Sequence, residues 1–505
     1  MEKEIGELHL KDSGKTCELR AKIEEIQQTS GPTLFTLFDG TGSLVVKAFA
    51  GPGVRAFPEL KEGSFARMHI MLHVYEGALE GELQKASLLP PKEATALLQQ
   101  IQYSLAKKAS PPTTKLLIHS PLLEQLKPRM VAFATAVRQA VMEARPIIMR
   151  HNADTDGYTA ALALEQAIVP LIISHHDDEK AQWHYYRRSP SKAPSYEYGD
   201  ALKDLATTLQ DMARFGMKEP LIILADFGGT RDDLLSLKKV RAYGAKVLIV
   251  DHHEPGDVEK YADVFVNPHA VGGDSNNCTG MLATEIAHFI NPKCQLFLFA
   301  AVAAHGDKVS GPEVDQYVAK AGELGFSEEF LKNLAECIDF DAHYLRFIES
   351  RGLVNDLLLS EPERQKQLVE MLITEITERR AAVLGAAKHY VEKVPMRNFI
   401  FGIVPIANVT IKSEYPAPGK AIGLLFDHLK EKQPVILFGY GPDFITIRSS
   451  YSGFDVNVFA KELEKAFPHA LVCGGGHQVA GSVHFIEAAL TEILAFSRKY
   501  IERLN

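Results

Sequence analysis

Between residues 145 and 310 the chain repeatedly runs an unbroken apolar stretch into a helix-forming one. The stretches are "RPIIMRHNADTDGYTAALALEQAI", "PLIILADFGG", "AKVLIVDHHEP" and "DVFVNPH", followed by "TGMLATEIAHFI" and "CQLFLFAAVAAHGD". A strand of four to six apolar residues without polar alternation is covered on both faces. Helices between such strands supply that cover. This pattern predicts an α/β domain built on a parallel sheet, over about 118–311. Few other arrangements accommodate it.

The flanks read differently. Residues 1–92 alternate apolar and polar, as in Cys17, Leu19, Ala21 and Ile23 of "TCELRAKIEEI". Asp39-Gly40-Thr41-Gly42 supplies a hairpin turn between two such stretches. Five short strands joined by turns resemble an OB-fold, a small β-barrel that often binds single-stranded nucleic acid on aromatic platforms. Phe35, Phe38 and Phe49 are the candidates for stacking, with barrel core as the competing role for each. Residues 93–117 read as a helical connector between proline-rich breaks. Residues 312–395 read as a helical linker or insertion, and 396–505 as a second, smaller α/β domain.

Composition narrows the class. With 46% hydrophobic and 24% charged residues the chain is of globular type, and 505 residues suggest about three domains. Cysteines 17, 278, 294, 337 and 473 form no C-x-x-C pair, which fits a reducing compartment and offers no thiolate zinc site. No apolar run approaches the ~20 residues that span a bilayer. The charged start "MEKEIGELHLKDSGK" is unlike a targeting peptide. A cytoplasmic protein with no membrane partner is the expectation. A net charge of −9 argues against a protein that coats nucleic acid generally, though not against a local basic groove.

In an open parallel sheet, ligands bind beyond the carboxyl ends of the strands. Four segments deliver acids and imidazoles there: His151, Asp154 and Asp156; Asp226; Asp251, His252 and His253; and His305 with Asp307. One strand-end Asp alone is usually a cap or turn residue. Four together would repel one another unless cations neutralise them. Oxygen and imidazole donors without thiolate suit Mn²⁺ or Mg²⁺, with Co²⁺ and Zn²⁺ as alternatives. That many ligands calls for two ions sharing a bridging carboxylate, an arrangement suited to phosphoryl transfer. "SGKT" at 13–16 lacks the first glycine of a P-loop, since His9 stands there.

In this order "HNADTDG", "ADFGG", "VDHHEP" and "AHGD" resemble the four motifs of the DHH phosphoesterase superfamily. "GGGHQVAGS" at 474–482 is similar to the signature of its DHH-associated C-terminal domain. The likeness covers about 145–310 and 396–505 and points to the RecJ-like single-strand exonucleases, particularly the archaeal ones. It implies a DHH parallel-sheet domain and a smaller C-terminal α/β domain, preceded here by the OB-like barrel. It also implies metal ligation by His151, Asp154, Asp156, Asp226, His252 and Asp307, with Asp226 as the bridge. Asp251 would brace the histidines and His253 would face the phosphate. Arg448, Gly474, Gly475, Gly476 and His477 would hold the substrate.

The resulting expectation is a two-metal exonuclease for single-stranded DNA, or RNA, working in replication or repair, with a helicase or replication factor as a candidate partner. The alternatives are a pyrophosphatase, a phosphodiesterase for short oligonucleotides or cyclic dinucleotides, and a non-catalytic replisome scaffold. In bacterial relatives the OB-fold follows the core, so cleavage polarity does not carry over. "WHYYRRSPSKAPSYEY" at 183–198, with Arg187, Arg188 and Lys192, reads as either a strand-gripping loop or a solvated one.

Overall fold

The computed structural model describes residues 3–75, 77–191, 193–345, 352–411, 413–430 and 433–504. The chain forms two compact units, Met1–Ser110 and Pro111–Asn505.

In the first unit, β1 (Thr16–Gln28), β2 (Thr33–Phe38), β3 (Ser43–Ala48), β4 (Phe65–Tyr75) and β5 (Ala78–Leu88) close a barrel in the order β1-β2-β3-β5-β4. Strand periodicity of two turns Cys17, Leu19, Ala21 and Ile23 inward against Ala66, Met68, Ile70 and Leu72. Of the three phenylalanines, Phe35 is buried in the barrel core and Phe38 is 9% exposed, whereas Phe49 is 67% exposed. Helix α1 (Pro91–Ala109) packs on the barrel, with Leu97 and Ile101 against Phe38 and Leu89. It is part of the barrel unit, where a free connector was expected. A Cβ on Gly40 (φ +89°) would lie 2.9 Å from Ile101 Cα, so glycine lets the hairpin turn meet this helix.

The second unit begins with α2 (Pro121–Met142) and a five-stranded sheet. Its strands are β6 (Ile147–His151), β7 (Tyr186–Pro190), β8 (Leu221–Ala225), β9 (Lys246–Val250) and β10 (Val264–Val266), in the order β10-β9-β8-β6-β7. All neighbours are parallel. The apolar runs divide by alternation. Ile147, Met149, Leu221, Ile223, Leu248 and Val250 join the large core. Ile148, Ile222, Leu224, Val247 and Ile249 join the opposite one. The intervening helices are α3 (Thr155–His176), α4 (Ala181–Tyr185), α5 (Tyr198–Phe215) and α6 (Leu234–Ala242), with α7 (Thr279–Ile290) and α8 (Phe297–Gly306) after β10. By length and composition alone α3 could cross a membrane. Here it is a core helix, largely buried against α7 and α8.

Two expectations change. The middle of 183–198 is internal, though Trp183 and Tyr198 at its ends are exposed: β7 is the edge strand beside β6, Tyr186 and Tyr196 are buried, and Arg188 pairs with Glu165 at 2.8 Å. Lys192 lies outside the described residues. The expected linker is mostly core as well. Helices α9 (Pro312–Glu323), α10 (Glu328–Leu345) and α11 (Leu353–Leu359) bury Tyr317, Leu334, Ile338 and Leu357 with residues of the parallel-sheet domain. Only α12 (Pro362–Tyr390) connects, running from Ile376 in that core to Ala387 in the next.

The C-terminal sheet comprises β11 (Glu392–Pro395), β12 (Ile400–Val404), β13 (Val435–Tyr440), β14 (Phe444–Ser449), β15 (Cys473–His477) and β16 (Ala480–His484), in the order β11-β12-β13-β14-β16-β15. Helices α13 (Ile406–Val409) and α14 (Pro418–Leu429) cover one face, and α15 (Val456–Ala466) and α16 (Leu490–Glu502) the other.

Candidate metal centre and phosphate cleft

The rim acids stand where four chain segments leave regular structure. Asp154 caps α3, its side chain accepting the Gly157 amide. Asp156 lies in the first turn of that helix. Asp226 follows β8 with φ +63°, a left-handed conformation uncommon for a side-chain-bearing residue. His252 follows β9, and Asp307 ends α8.

Three of these acids converge on one imidazole nitrogen. His252 Nε2 lies 3.2 Å from Asp307 Oδ2, 3.4 Å from Asp226 Oδ1 and 3.8 Å from Asp156 Oδ2. Ligand atoms of Asp156, Asp226 and His252 all fall within 4.8 Å of one another. His252 Nδ1 is 3.0 Å from the Ser275 carbonyl. A carbonyl only accepts, so Nδ1 carries a proton and Nε2 is the atom presented to the acids.

Electrostatics follow from burial. Asp307 is pushed up to about 7, first by burial and then by Asp156 and Asp154, with His252 opposing. Asp154 rises to about 6 through burial and the nearby Asp339. Asp226 is raised well above the carboxylate range by burial, Asp154 and Asp156. Burial alone would lower His252, but Asp307, Asp226 and Asp156 hold it well above an ordinary imidazole. Asp307 Oδ2 is buried and, although near His252, makes no aligned hydrogen bond. Four carboxylates and one imidazole, one oxygen of them unsatisfied, make a donor set that fits hard divalent cations.

The cluster contains groups without a sequence signal. Asp156 accepts the Thr279 and Gly280 amides at 2.8 and 2.7 Å, so the amino end of α7 fixes both its oxygens. Asn152 Nδ2 bridges Asp154 Oδ2 at 2.6 Å and Asp226 Oδ2 at 3.1 Å. His151, expected as a ligand, is not brought to these acids. His151 is the last residue of β6 and fully buried, with Nδ1 2.7 Å from the Asn152 carbonyl and Nε2 3.4 Å from Arg188 Nη1. Both ring nitrogens are taken up by protein groups. Burial and Arg188 also push the His151 pKa well below the usual value. His305 is likewise not in the cluster: it lines a cavity of about 480 Å³ with Lys308, Lys332 and Arg380.

Asp251 serves a different purpose. Its Oδ1 accepts the His252 and His253 amides and pairs with His253 Nδ1 at 2.8 Å, while Oδ2 accepts the Gly229 amide. Burial would raise its pKa, but His253 beside it holds the carboxyl well below the usual range. A side chain so fully bonded orients its neighbours. His253 Nδ1 is thereby committed to Asp251, and ligand atoms of His252, His253 and His477 lie within 4.8 Å of one another.

The C-terminal domain completes the cleft. The His477 ring stacks on His253 (centroids 4.8 Å, planes 14° apart) and approaches His252 at 5.3 Å. Burial and the two other imidazoles lower its pKa to about 3, which makes it neutral. Gly474, Gly475 and Gly476 form the edge strand before it, and the positive φ of Gly474 (+115°) and Gly476 (+148°) requires glycine there. Asn457, unmarked in the sequence, holds this strand: it bonds the Gly476 carbonyl and amide and reaches Glu254 Oε2 at 3.1 Å. Arg448 donates to the Ile447 and Gly419 carbonyls and, among the described residues, pairs with no carboxylate.

The model of the DHH family, N-terminal domain, matches residues 146–321. The uncharacterized protein MJ1198 of Methanocaldococcus jannaschii is 35% identical over 531 residues, covering 97% of this chain and 69% of its own. The solved DHH domain of PF0399, described as a member of the s1p family of ribosomal proteins, is 40% identical. It superposes with a TM-score of 0.78 over 82% of this chain and 99% of its own. RecJ of Thermus thermophilus, solved in complex with Mn²⁺, is 16% identical with a TM-score of 0.51, over 80% of this chain and 59% of its own. That last likeness is one of fold.

Proposed function

This chain belongs to the DHH family of phosphoesterases, and from that premise we propose that it is an exonuclease that degrades single-stranded DNA to mononucleotides. The observation that carries the reading is the cleft itself. His252 Nε2 faces Asp156, Asp226 and Asp307 on one side, while His477 of the glycine strand stacks over His253 on the other. Two divalent cations held by Asp154, Asp156, Asp226, His252 and Asp307, most simply Mn²⁺, would supply an activated water and charge neutralisation at the phosphate. The remaining steps belong to the side chains. Asp251 holds the His253 Nδ1 proton, which aims Nε2 at a phosphate oxygen. Neutral His477, the glycine strand Gly474–Gly476, which lets a phosphate approach the backbone closely, and the Arg448 guanidinium grip the phosphate without reading a base.

The barrel, with Phe49 exposed for stacking, would hold the strand between cleavages. RNA is the second substrate to test, since a relative at 40% identity is described as a member of a family of ribosomal proteins. We place the enzyme in the cytoplasm, in DNA replication or repair, where single strands arise and a helicase or replication factor would present them. A time course on single-stranded DNA and RNA, labelled separately at either end, tests the reading. Progressive release of labelled mononucleotide from one end is expected with Mn²⁺. Cleavage of di- and trinucleotides only would favour a short-oligonucleotide phosphodiesterase, and no cleavage with any divalent metal would favour a scaffold.

A further inference from the structure

The residue between two of the rim acids, Thr155, is held from outside the rim. Its amide donates to Asp339 Oδ1 on α10 at 2.9 Å, and its hydroxyl lies 2.6 Å from the same oxygen and 2.8 Å from the Ala335 carbonyl on that helix. The other oxygen of Asp339 is bonded by Lys420 Nζ, from the first turn of α14 in the C-terminal domain. Thr155 is buried, and Asp339 is the nearby charge that most raises Asp154. The anchor of Lys420 is reinforced by Glu336, 3.7 Å from Nζ, which also pairs with Arg380 at 3.0 Å and accepts the Tyr415 hydroxyl at 3.1 Å. The residue before Lys420, Gly419, gives its carbonyl to Arg448.

A continuous path thus runs from the phosphate-side arginine through Gly419 and Lys420 to Asp339, and from there to the backbone between Asp154 and Asp156. We propose that Lys420 and Asp339 are positioning residues that couple the seating of the C-terminal domain to the geometry of the metal ligands. With Lys420 in place, Asp339 is charge-compensated and fixed, so the turn 154–156 presents its two acids at one spacing. Without it, Asp339 becomes an unpaired carboxylate beside Asp154, and its hold on Thr155 loosens. Reciprocity then requires bound metal to favour the seated C-terminal domain. Lys420 contacts neither the acids nor the phosphate grip directly; it acts through Asp339.

The test is calorimetric titration of the metal-stripped full chain with Mn²⁺, without substrate, on Lys420→Met and Lys420→Arg, with kcat and KM measured alongside. The coupling rests on the metal-centre reading but not on the nuclease one: a wild type that binds Mn²⁺ and cleaves no strand would remove the second alone. Lys420→Met is expected to weaken Mn²⁺ binding about ten-fold, as loss of a ligand-orienting partner does. It should lower kcat more than it raises KM, and Lys420→Arg should recover most of the affinity. A purely electrostatic role predicts the reverse sign, tighter Mn²⁺ binding in Lys420→Met, because a cation near the site is removed. Unchanged or tighter binding overturns the proposal, as does a rise in KM alone. Should Lys420→Met fail to fold, Asp339→Asn keeps an oxygen for Thr155 and removes the ion pair. The same loss of Mn²⁺ affinity is expected there, and wild-type affinity overturns the coupling.

Discussion

Strand β6 has charged clusters on both sides, and they contrast sharply. Arg150, buried mid-strand, donates to Asp204 at 2.8 and 3.0 Å, with Asp200 at 3.5 Å. Arg187 and the Tyr196 hydroxyl also reach Asp204, at 3.3 and 3.0 Å. Two guanidinium groups face two carboxylates, so this cluster is neutral by itself. At the end of the same strand Asp156, Asp226 and Asp307 share one imidazole, Asp154 is tied to Asp226 through Asn152, and three of the four acids have raised pKa values. Burial is similar, but charge balance is not. A balanced buried cluster is architecture; an unbalanced one requires something from solution.

The contrast breaks first under mutation. Asp226→Ala should lower metal-dependent phosphodiester hydrolysis by on the order of 10³-fold or more while the fold persists. Activity near wild type would show that the rim is not the catalytic centre. Asp204→Ala should do the opposite. Loss of the main carboxylate partner of buried Arg150 costs up to about 3–5 kcal/mol of stability, read by denaturant unfolding, whereas Mn²⁺ affinity of the folded fraction should stay within a few-fold of wild type.

The pH response sharpens the comparison further. Asp154 and Asp307 bind their protons more tightly folded than unfolded, with values near 6 and 7 against 3.8. His252 is shifted upward too. For the two acids this contribution to stability is full below pH 3.8, declines above it, and is gone once pH has risen through 6 and 7. The melting temperature of metal-stripped protein should fall from pH 5 to 8, and saturating Mn²⁺ should flatten the profile. Metal affinity should rise over the same window, because the bound protons must leave first. A melting temperature that rises with pH in the stripped protein would contradict the unbalanced-charge account. The smallest expected effect lies in the barrel. Phe49→Ala should weaken single-strand binding by about 1 kcal/mol, one stacked base, with no change in Mn²⁺ affinity.

How much of this was legible beforehand depends on what kind of group was involved. The sheet was, because apolar runs such as "LIILA" and "VLIV" admit few other readings, and so were the rim acids, because each ends such a run. The amides of Thr279 and Gly280 that fix Asp156 carry no side-chain signature, and Asp339 lies 184 residues from Thr155 in sequence. The structure does not bring His151 to the acids: the chain leaves the sheet there, and the side chain that reaches Asp154 and Asp226 is that of Asn152. The segment at 183–198 reads as a loop because Arg187 and Arg188 are charged, yet their partners Asp204 and Glu165 sit on the two flanking helices, 17 and 23 residues away.

The rim acids come from segments spread over residues 154–307, and they meet only after the parallel strands have paired. A cation therefore finds no site in the early, partly folded chain and cannot serve as a template for it. The polypeptide must reach its native topology against the repulsion of its own carboxylates, and metal arrives last, to a finished cradle. In kinetic terms, divalent ions should act on the escape from the native state rather than on the approach to it.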